Sequence, residues 1–156
     1  DLVETAKKTM EKAENAGVEI ILPRDIVAAR EVDANADTKV FASDKIESGW
    51  KGLDIGPEAR EKYAGIIKNA QTVVWNGPMG VFEMKPFAAG TETVAQAMAD
   101  ATEKGAKSIV GGGDSAAAVK KYDLFNKMSH VSTGGGASLE FLSGAELPGL
   151  AALDNK

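Results

Sequence analysis

The sequence contains no cysteine among its 156 residues, so it can form neither a disulfide framework nor a thiolate metal site. It also has no apolar run near the roughly 20 residues that a membrane-spanning helix needs, and we expect no membrane partner. Basic residues are the minority, since 18 Lys and Arg stand against 23 Asp and Glu, and the net charge of −5 disfavours a nucleic-acid partner. These absences favour a soluble protein of a reducing compartment, and we expect the cytoplasm.

The length and composition are those of one ordinary domain. Hydrophobic residues make up 44% of the chain, which is enough to build a single core. The sequence opens at Asp1 without a methionine and enters a helical pattern at once. We therefore expect residues 1–156 to be one domain that belongs to a longer protein and is incomplete at its N-terminal side.

The first 44 residues give three local signals. Residues 3–13 carry apolar side chains at helical spacing and predict an amphipathic helix. Residues 18–22 are β-rich and apolar, and they predict a buried strand. Two short runs around residues 26–28 and 39–41 flank a polar stretch and predict a small hairpin.

The rest of the chain alternates between helical and β-rich segments. Apolar periodicity predicts helices over residues 57–70, 91–104, 114–121 and 137–142, and β-rich runs predict strands over residues 72–75, 108–110 and 130–132. Parallel strands need crossover connections, and helices supply them. The alternation therefore predicts an α/β fold in which a parallel sheet has helices on both faces, in a Rossmann-like three-layer arrangement, with the first part of the domain missing.

Glycine-bearing loops follow three of the predicted strands, at residues 75–80, 111–115 and 133–138. In an open parallel sheet, such loops gather at the carboxyl edge, where ligands bind. Glycines before a helix expose backbone N–H groups, and the helix N-terminus adds partial positive charge, so each loop is a candidate phosphate site. Glycine-rich turns also occur simply to make tight strand-to-helix connections, and that interpretation stays open.

The residues around these glycines indicate which class of phosphate-containing ligand the loops would bind. The sequence has no Gly-Lys-Ser or Gly-Lys-Thr, so it has no Walker A loop. Residues 111–116 fit Gly-x-Gly-x-x-Ala, but no carboxylate follows about 20 positions later to hold ribose hydroxyls, as that dinucleotide fingerprint requires. Asp114 would repel a bare pyrophosphate and would suit a phosphate that carries Mg²⁺. We therefore favour a metal–nucleotide complex over a dinucleotide.

Three segments resemble the signature sequences of the phosphoglycerate kinase family, in that family's order. They are residues 74–83 (Val-Trp-Asn-Gly-Pro-Met-Gly-Val-Phe-Glu), residues 111–115 and residues 130–140. Residues 52–57, Gly-Leu-Asp-Ile-Gly-Pro, resemble a fourth. The resemblance implies the C-terminal, nucleotide-binding part of an enzyme that transfers a phosphoryl group between 1,3-bisphosphoglycerate and Mg-ADP, giving 3-phosphoglycerate and Mg-ATP in glycolysis.

The resemblance also implies roles for particular residues, with Mg²⁺ and ADP or ATP as the cofactors. The implied nucleotide-binding residues are Gly52, Leu53, Asn76, Pro78, Val81, Glu83, Gly112, Gly113, Asp114 and Ser115. Among them, Asp114 would also hold Mg²⁺. The implied catalytic residues are Gly134, Gly135 and Gly136, whose backbone N–H groups would stabilise the transferring group.

The family pattern includes parts that this chain lacks. A lysine earlier in the nucleotide domain, and an arginine and basic patch of the N-terminal domain, would lie upstream of Asp1. We expect the phosphoglycerate to be bound through that missing domain, the chain alone to be inactive, and the protein to be a monomer.

Simpler interpretations of these residues remain. Asp114 opens a predicted helix and could be an N-cap, which is compatible with metal binding. Glu83 could be a solvated carboxylate, and Lys120 and Lys121 could mark a solvated helix face. The alternative for the whole chain is a non-catalytic Rossmann-like module that binds a dinucleotide or another anion.

Overall fold

The computed structural model describes residues 2–153, except for the side chain of Leu150. Its helices are α1 (Leu2–Asn15), α2 (Pro57–Lys68), α3 (Ala89–Glu103), α4 (Gly113–Lys121), α5 (Gly135–Leu142) and α6 (Pro148–Ala151). Its strands are β1 (Asp25–Ala29), β2 (Thr38–Ala42), β3 (Lys51–Ile55), β4 (Thr72–Asn76), β5 (Lys107–Gly111) and β6 (His130–Ser132). Within residues 2–153, no helix is both long enough and apolar enough to cross a bilayer.

The second half of the chain forms a three-stranded parallel sheet in the order β4-β5-β6. Helix α3 connects β4 to β5, and helix α4 connects β5 to β6, so each pair of neighbouring strands is joined by a helical crossover. The predicted α/β fold is therefore confirmed, and its strands and crossover helices lie within two residues of the predicted bounds.

The two faces of this sheet are covered to different extents. Trp75 and Val110 point to the face that α3 and α4 cover, and they pack with Met98 and Val119 in the main core. On the other face, helix α5 leaves an apolar groove of about 550 Å³, lined by Val74, Ile109, His130, Leu139, Phe141 and Leu142 among others. Helices thus lie on both faces, with α5 covering only part of the second.

A small antiparallel sheet precedes the parallel one, in the order β2-β1-β3. The β1–β2 pair is the hairpin that the sequence predicted. Strand β3 was not predicted, because residues 51–55 are too short and too mixed in polarity to give a periodic signal. This strand matters for the site, since it carries Gly52 and Leu53.

The predicted strand at residues 18–22 is wrong. That segment has no regular secondary structure and pairs with none of the strands formed by residues 2–153. Val18, Ile20 and Leu22 are exposed, and Tyr63 Oη donates a hydrogen bond to the Ile21 carbonyl at 3.0 Å. An apolar, β-rich composition favours a strand only where a neighbouring strand completes the hydrogen-bond ladder.

The buried carboxylate of Asp25 links the antiparallel sheet to helix α2. Helix α2 starts after Gly56, which offers no side chain as a cap. The Asp25 carboxylate, at the start of β1, instead accepts hydrogen bonds from the N–H groups of Glu58 at 3.0 Å and Ala59 at 2.8 Å. A Cβ added to Gly56 would lie 2.2 Å from that carboxylate, so this contact requires glycine. The cap therefore fixes α2 against the antiparallel sheet.

We predict that Asp25→Ala lowers the free energy of unfolding by roughly 1–3 kcal/mol, because it leaves two helix N–H groups without their acceptor. Urea unfolding of the 156-residue chain measures this loss. The matched control is Asp37→Ala, which removes an exposed carboxylate from the loop before β2 and should leave stability unchanged. Equal midpoints for the wild type and Asp25→Ala would contradict the capping role.

Candidate functional site

The three glycine loops meet at the carboxyl edge of the parallel sheet, as the sequence predicted. The strand register places Asn76 beside Gly111 and Gly111 beside Ser132, which are the last residues of β4, β5 and β6. The Gly112 N–H donates to the Ser132 carbonyl at 3.0 Å and ties two of the loops together. The loops therefore form one continuous surface of backbone.

The contact between these loops leaves no room for side chains. A Cβ added to Gly135 would lie 2.7 Å from the Gly112 Cα and 3.3 Å from the Asn76 Oδ1. Gly112 also has a φ of +97°, a backbone conformation that residues other than glycine rarely adopt. The glycines thus do more than make tight turns, because they let the starts of α4 and α5 approach each other with the Asn76 amide between them.

Helix α4 begins in this surface. Gly113 and Asp114 lie in its exposed first turn, where helix N–H groups have no intrahelical acceptor and attract anions. The N-cap is Gly112, and no side chain makes a capping hydrogen bond. The interpretation of Asp114 as an N-cap is therefore wrong, and among residues 2–153 its carboxylate has no hydrogen-bond or ion-pair partner.

Ser115 has a different position from the other residues of this turn. Its side chain is fully buried, and its Oγ accepts a hydrogen bond from the Gly77 N–H at 2.7 Å. The hydroxyl thus joins the first turn of α4 to the loop after β4. The expected contact between Ser115 and a phosphate stays a prediction.

Helix α5 opens the third loop. Gly134 is its N-cap, and Gly135 and Gly136 are its first two residues. The Gly134 N–H donates to Ser132 Oγ at 3.1 Å, and the Gly134 carbonyl accepts from the Ser138 hydroxyl at 3.0 Å. These bonds fix the loop so that the first-turn N–H groups of α5 face the same edge as those of α4.

A second group of the predicted residues lies where the loop after β4 meets strand β3. The Val81 N–H donates to the Leu53 carbonyl at 3.0 Å, so Gly52, Leu53 and Val81 form one wall. Pro78 lies half-buried earlier in the same loop, and Glu83 is exposed two residues after Val81. The structure therefore joins Leu53 to Val81, and the expected contacts of all five residues with a nucleoside stay predictions.

Two buried side chains that sequence reasoning missed hold this wall in place. Asp54 accepts hydrogen bonds from the N–H groups of Gly90 at 2.7 Å and Ile55 at 2.9 Å. Burial raises the pKa of Asp54, and the two N–H donors oppose that rise. Thr91 Oγ1 accepts from the Met79 N–H at 3.1 Å. The only signal in the sequence was an aspartate between two apolar residues, Leu53 and Ile55.

The residues of the site fit a magnesium ion that arrives with a nucleotide. Within residues 2–153, no group of three or more His, Cys, Asp or Glu side chains could hold a metal ion. Mg²⁺ is commonly held by one or two carboxylates together with the phosphates of a substrate. A single exposed carboxylate, that of Asp114, beside a surface of N–H groups matches that donor set.

Comparisons with known proteins agree with this geometry. The family model described as phosphoglycerate kinase matches residues 1–145. The chain is 57% identical over 155 residues to the phosphoglycerate kinase of Chloroherpeton thalassium, covering 99% of this chain and 39% of that protein. The chain thus spans about two-fifths of the length of that curated relative.

Solved structures give the same result. The structure of phosphoglycerate kinase from Coxiella burnetii is 44% identical and superposes with a TM-score of 0.88, over 95% of this chain and 38% of that one. The phosphoglycerate kinase of Pyrococcus horikoshii OT3 is 36% identical with a TM-score of 0.79, over 97% of this chain and 36% of that one. Since the family model matches nearly the whole sequence, the chain belongs to the phosphoglycerate kinase family.

Proposed function

We propose that this chain is the nucleotide-binding part of a phosphoglycerate kinase and holds Mg-ADP or Mg-ATP during phosphoryl transfer with 1,3-bisphosphoglycerate or 3-phosphoglycerate. The observation that carries the proposal is the convergence of the α4 and α5 N-termini beside Asn76 at one sheet edge. Phosphoryl transfer demands mainly positioning and charge stabilisation from a protein, and N–H groups at helix starts supply both. A cytoplasmic location and a monomeric state stay predictions.

In this proposal, the wall at β3 binds the nucleoside. Gly52 and Leu53 border the adenine, and Pro78 and Val81 pack beside the nucleoside. The carboxylate of Glu83 accepts hydrogen bonds from the ribose hydroxyls. The Val81–Leu53 backbone bond supports this assignment, because it places the two apolar contacts on one surface.

The sheet edge binds the phosphates. Asn76, Gly112, Gly113 and Ser115 surround the phosphate oxygens, and Asp114 holds Mg²⁺ directly or through water. When bound, Mg²⁺ would neutralise charge on the phosphates as the transferring group moves.

The start of α5 stabilises the phosphoryl group during its transfer. The first-turn N–H groups of residues 134–136 face the position where negative charge develops on the transferring phosphoryl group. Their approach to Gly112 supports the assignment, because donor and acceptor phosphates must lie within a few ångströms of each other.

The dinucleotide alternative is weaker. Its Gly-x-Gly-x-x-Ala sequence does lie between a strand and a helix, at the junction of β5 and α4. However, the next strand, His130–Ser132, carries no carboxylate for the ribose hydroxyls that this fingerprint requires.

We predict that Asp114→Asn removes the dependence of ADP affinity on Mg²⁺ while leaving the fold intact. Losing a group that holds a metal typically lowers metal affinity by about tenfold or more. Because Asp114 caps nothing, the melting temperature should change little. Calorimetric titration of ADP with and without Mg²⁺, together with thermal unfolding, measures both effects.

The matched control is Asp123→Asn, which removes the same charge beyond the other end of α4. Asp123 has a φ of 57°, a conformation that asparagine also tolerates. This variant should keep the magnesium dependence of the wild type. If Asp114→Asn kept it too, Asp114 would not be the metal-binding residue.

We also predict that the 156-residue chain alone shows no phosphoglycerate kinase turnover. Positioning of the two reactants accounts for about 7–11 kcal/mol of a typical barrier, and the phosphoglycerate side lies outside this chain. A coupled assay should detect activity only after the separately produced preceding part of a phosphoglycerate kinase is added. Robust turnover by the chain alone would show that these residues hold both substrates.

A further inference from the structure

Helix α4 and the residue that follows it, Tyr122, hold the loop after β4 at three points. We define residues 77–88 as the nucleoside loop. At its start, the Gly77 N–H donates to Ser115 Oγ at 2.7 Å, in the first turn of α4. Lys121, the last residue of α4, donates from Nζ to the Phe82 carbonyl at 2.6 Å. Tyr122 Oη donates to the Ala88 carbonyl at 3.3 Å.

The lysine contact differs from an ordinary surface ion pair. Within residues 2–153, no carboxylate lies within ion-pairing distance of Lys121, and its ammonium instead faces two backbone carbonyls. The second of these is the Glu83 carbonyl, at 3.5 Å. The ammonium also lies 5.6 Å from the ring centroid of Phe82 and 5.9 Å from that of Tyr122. Charge-assisted bonds of this kind are stronger than neutral ones.

The neighbouring Lys120 provides a comparison, because it lies at the same helix end but does not bond to the loop. Lys120 is exposed and makes no hydrogen bond or ion pair with the described residues. The interpretation of Lys120 and Lys121 as a solvated helix face is confirmed by their exposure, but Lys121 differs from Lys120 because its ammonium also bonds to the nucleoside loop. The two lysines form a natural matched pair.

The position of the Lys121 bond determines what it can influence. Phe82 is buried in the main core, whereas the next residue, Glu83, is exposed. The Val81 N–H is already fixed to Leu53, and the Met84 N–H donates to the Val81 carbonyl. The carbonyls of Phe82 and Glu83 flank the Cα of Glu83 on either side, so a donor shared between them restricts the direction of its side chain.

We propose that Lys121 is a positioning residue, which orders the backbone of the nucleoside loop so that the Glu83 carboxylate is held ready for its ligand. The proposal rests on the proposed function, in which that ligand is the ribose of ADP or ATP. Holding the carboxylate in place before binding avoids part of the conformational entropy that binding otherwise costs. Helix α4 then links the phosphate end of the site, at Gly113 and Asp114, to its ribose end.

The experiment compares Lys121→Met with Lys120→Met in the 156-residue chain. Methionine keeps most of the length of the side chain and removes the ammonium donor. Amide hydrogen exchange should rise roughly tenfold at Phe82 and Met84 in Lys121→Met, because local opening becomes easier, and should not change in Lys120→Met. Lys121→Arg keeps a charged donor and should restore protection.

Calorimetry with Mg-ADP separates a positioning role from a merely structural one. Affinity should fall about tenfold in Lys121→Met, and the same substitution should have little further effect in a Glu83→Ala background. That non-additivity is expected only if Lys121 acts through Glu83. Equal losses in both backgrounds would overturn the proposal, as would unchanged exchange at Phe82 and Met84.

These measurements distinguish a failure of the proposed function from a failure of the inference about Lys121. A wild-type chain that binds no Mg-ADP contradicts the proposed function, and the inference falls with it. A wild-type chain that binds Mg-ADP, with Lys121→Met binding equally well, overturns the inference alone and leaves the proposed function standing.

Discussion

The approach of two helix N-termini to within backbone contact is the constraint on which the rest of the site depends. Gly135 must be glycine because a Cβ there would lie 2.7 Å from the Gly112 Cα, and Gly112 must be glycine because its φ is +97° and a Cβ there would lie 2.9 Å from the Asn76 Oδ1. Like partial charges meet there, since both helix ends are positive. Such an arrangement is stabilised by an anion between or beside the two helix ends, and this is the physical reason for assigning phosphate to that edge.

Several side-chain hydrogen bonds attach the surrounding segments to this meeting point. Asp25 fixes α2 to the antiparallel sheet, and Asp54 fixes the start of α3 beside β3. Ser115 and Lys121 then attach the nucleoside loop to α4. Apart from Ser115, none of these side chains is expected to contact the nucleotide, yet together they help to position the exposed carboxylates of Glu83 and Asp114. The carboxylates expected to bind ligand are solvated, whereas those that support the fold are buried.

The sequence predicted the parallel sheet, its crossover helices and the convergence of the loops, because each depends on local periodicity and on glycine before a helix. It failed at residues 18–22, where strand formation depends on a partner that composition does not reveal. It also missed β3, Asp54 and the Lys121 contact. Those features come from packing between segments distant in the sequence, and a lysine at a helix end looks the same whether it is solvated or bonded to a loop.

The central claim is that the three loops form one nucleotide site, and amide chemical shifts of the chain during titration with Mg-ADP test it most directly. We expect Gly113, Gly135 and Leu53 to shift together and to saturate at one nucleotide concentration, since they line the same site. Shifts confined to Ile109 and Phe141, in the part of the apolar groove that lies away from the sheet edge, would contradict the claim. So would loops that respond at clearly different concentrations.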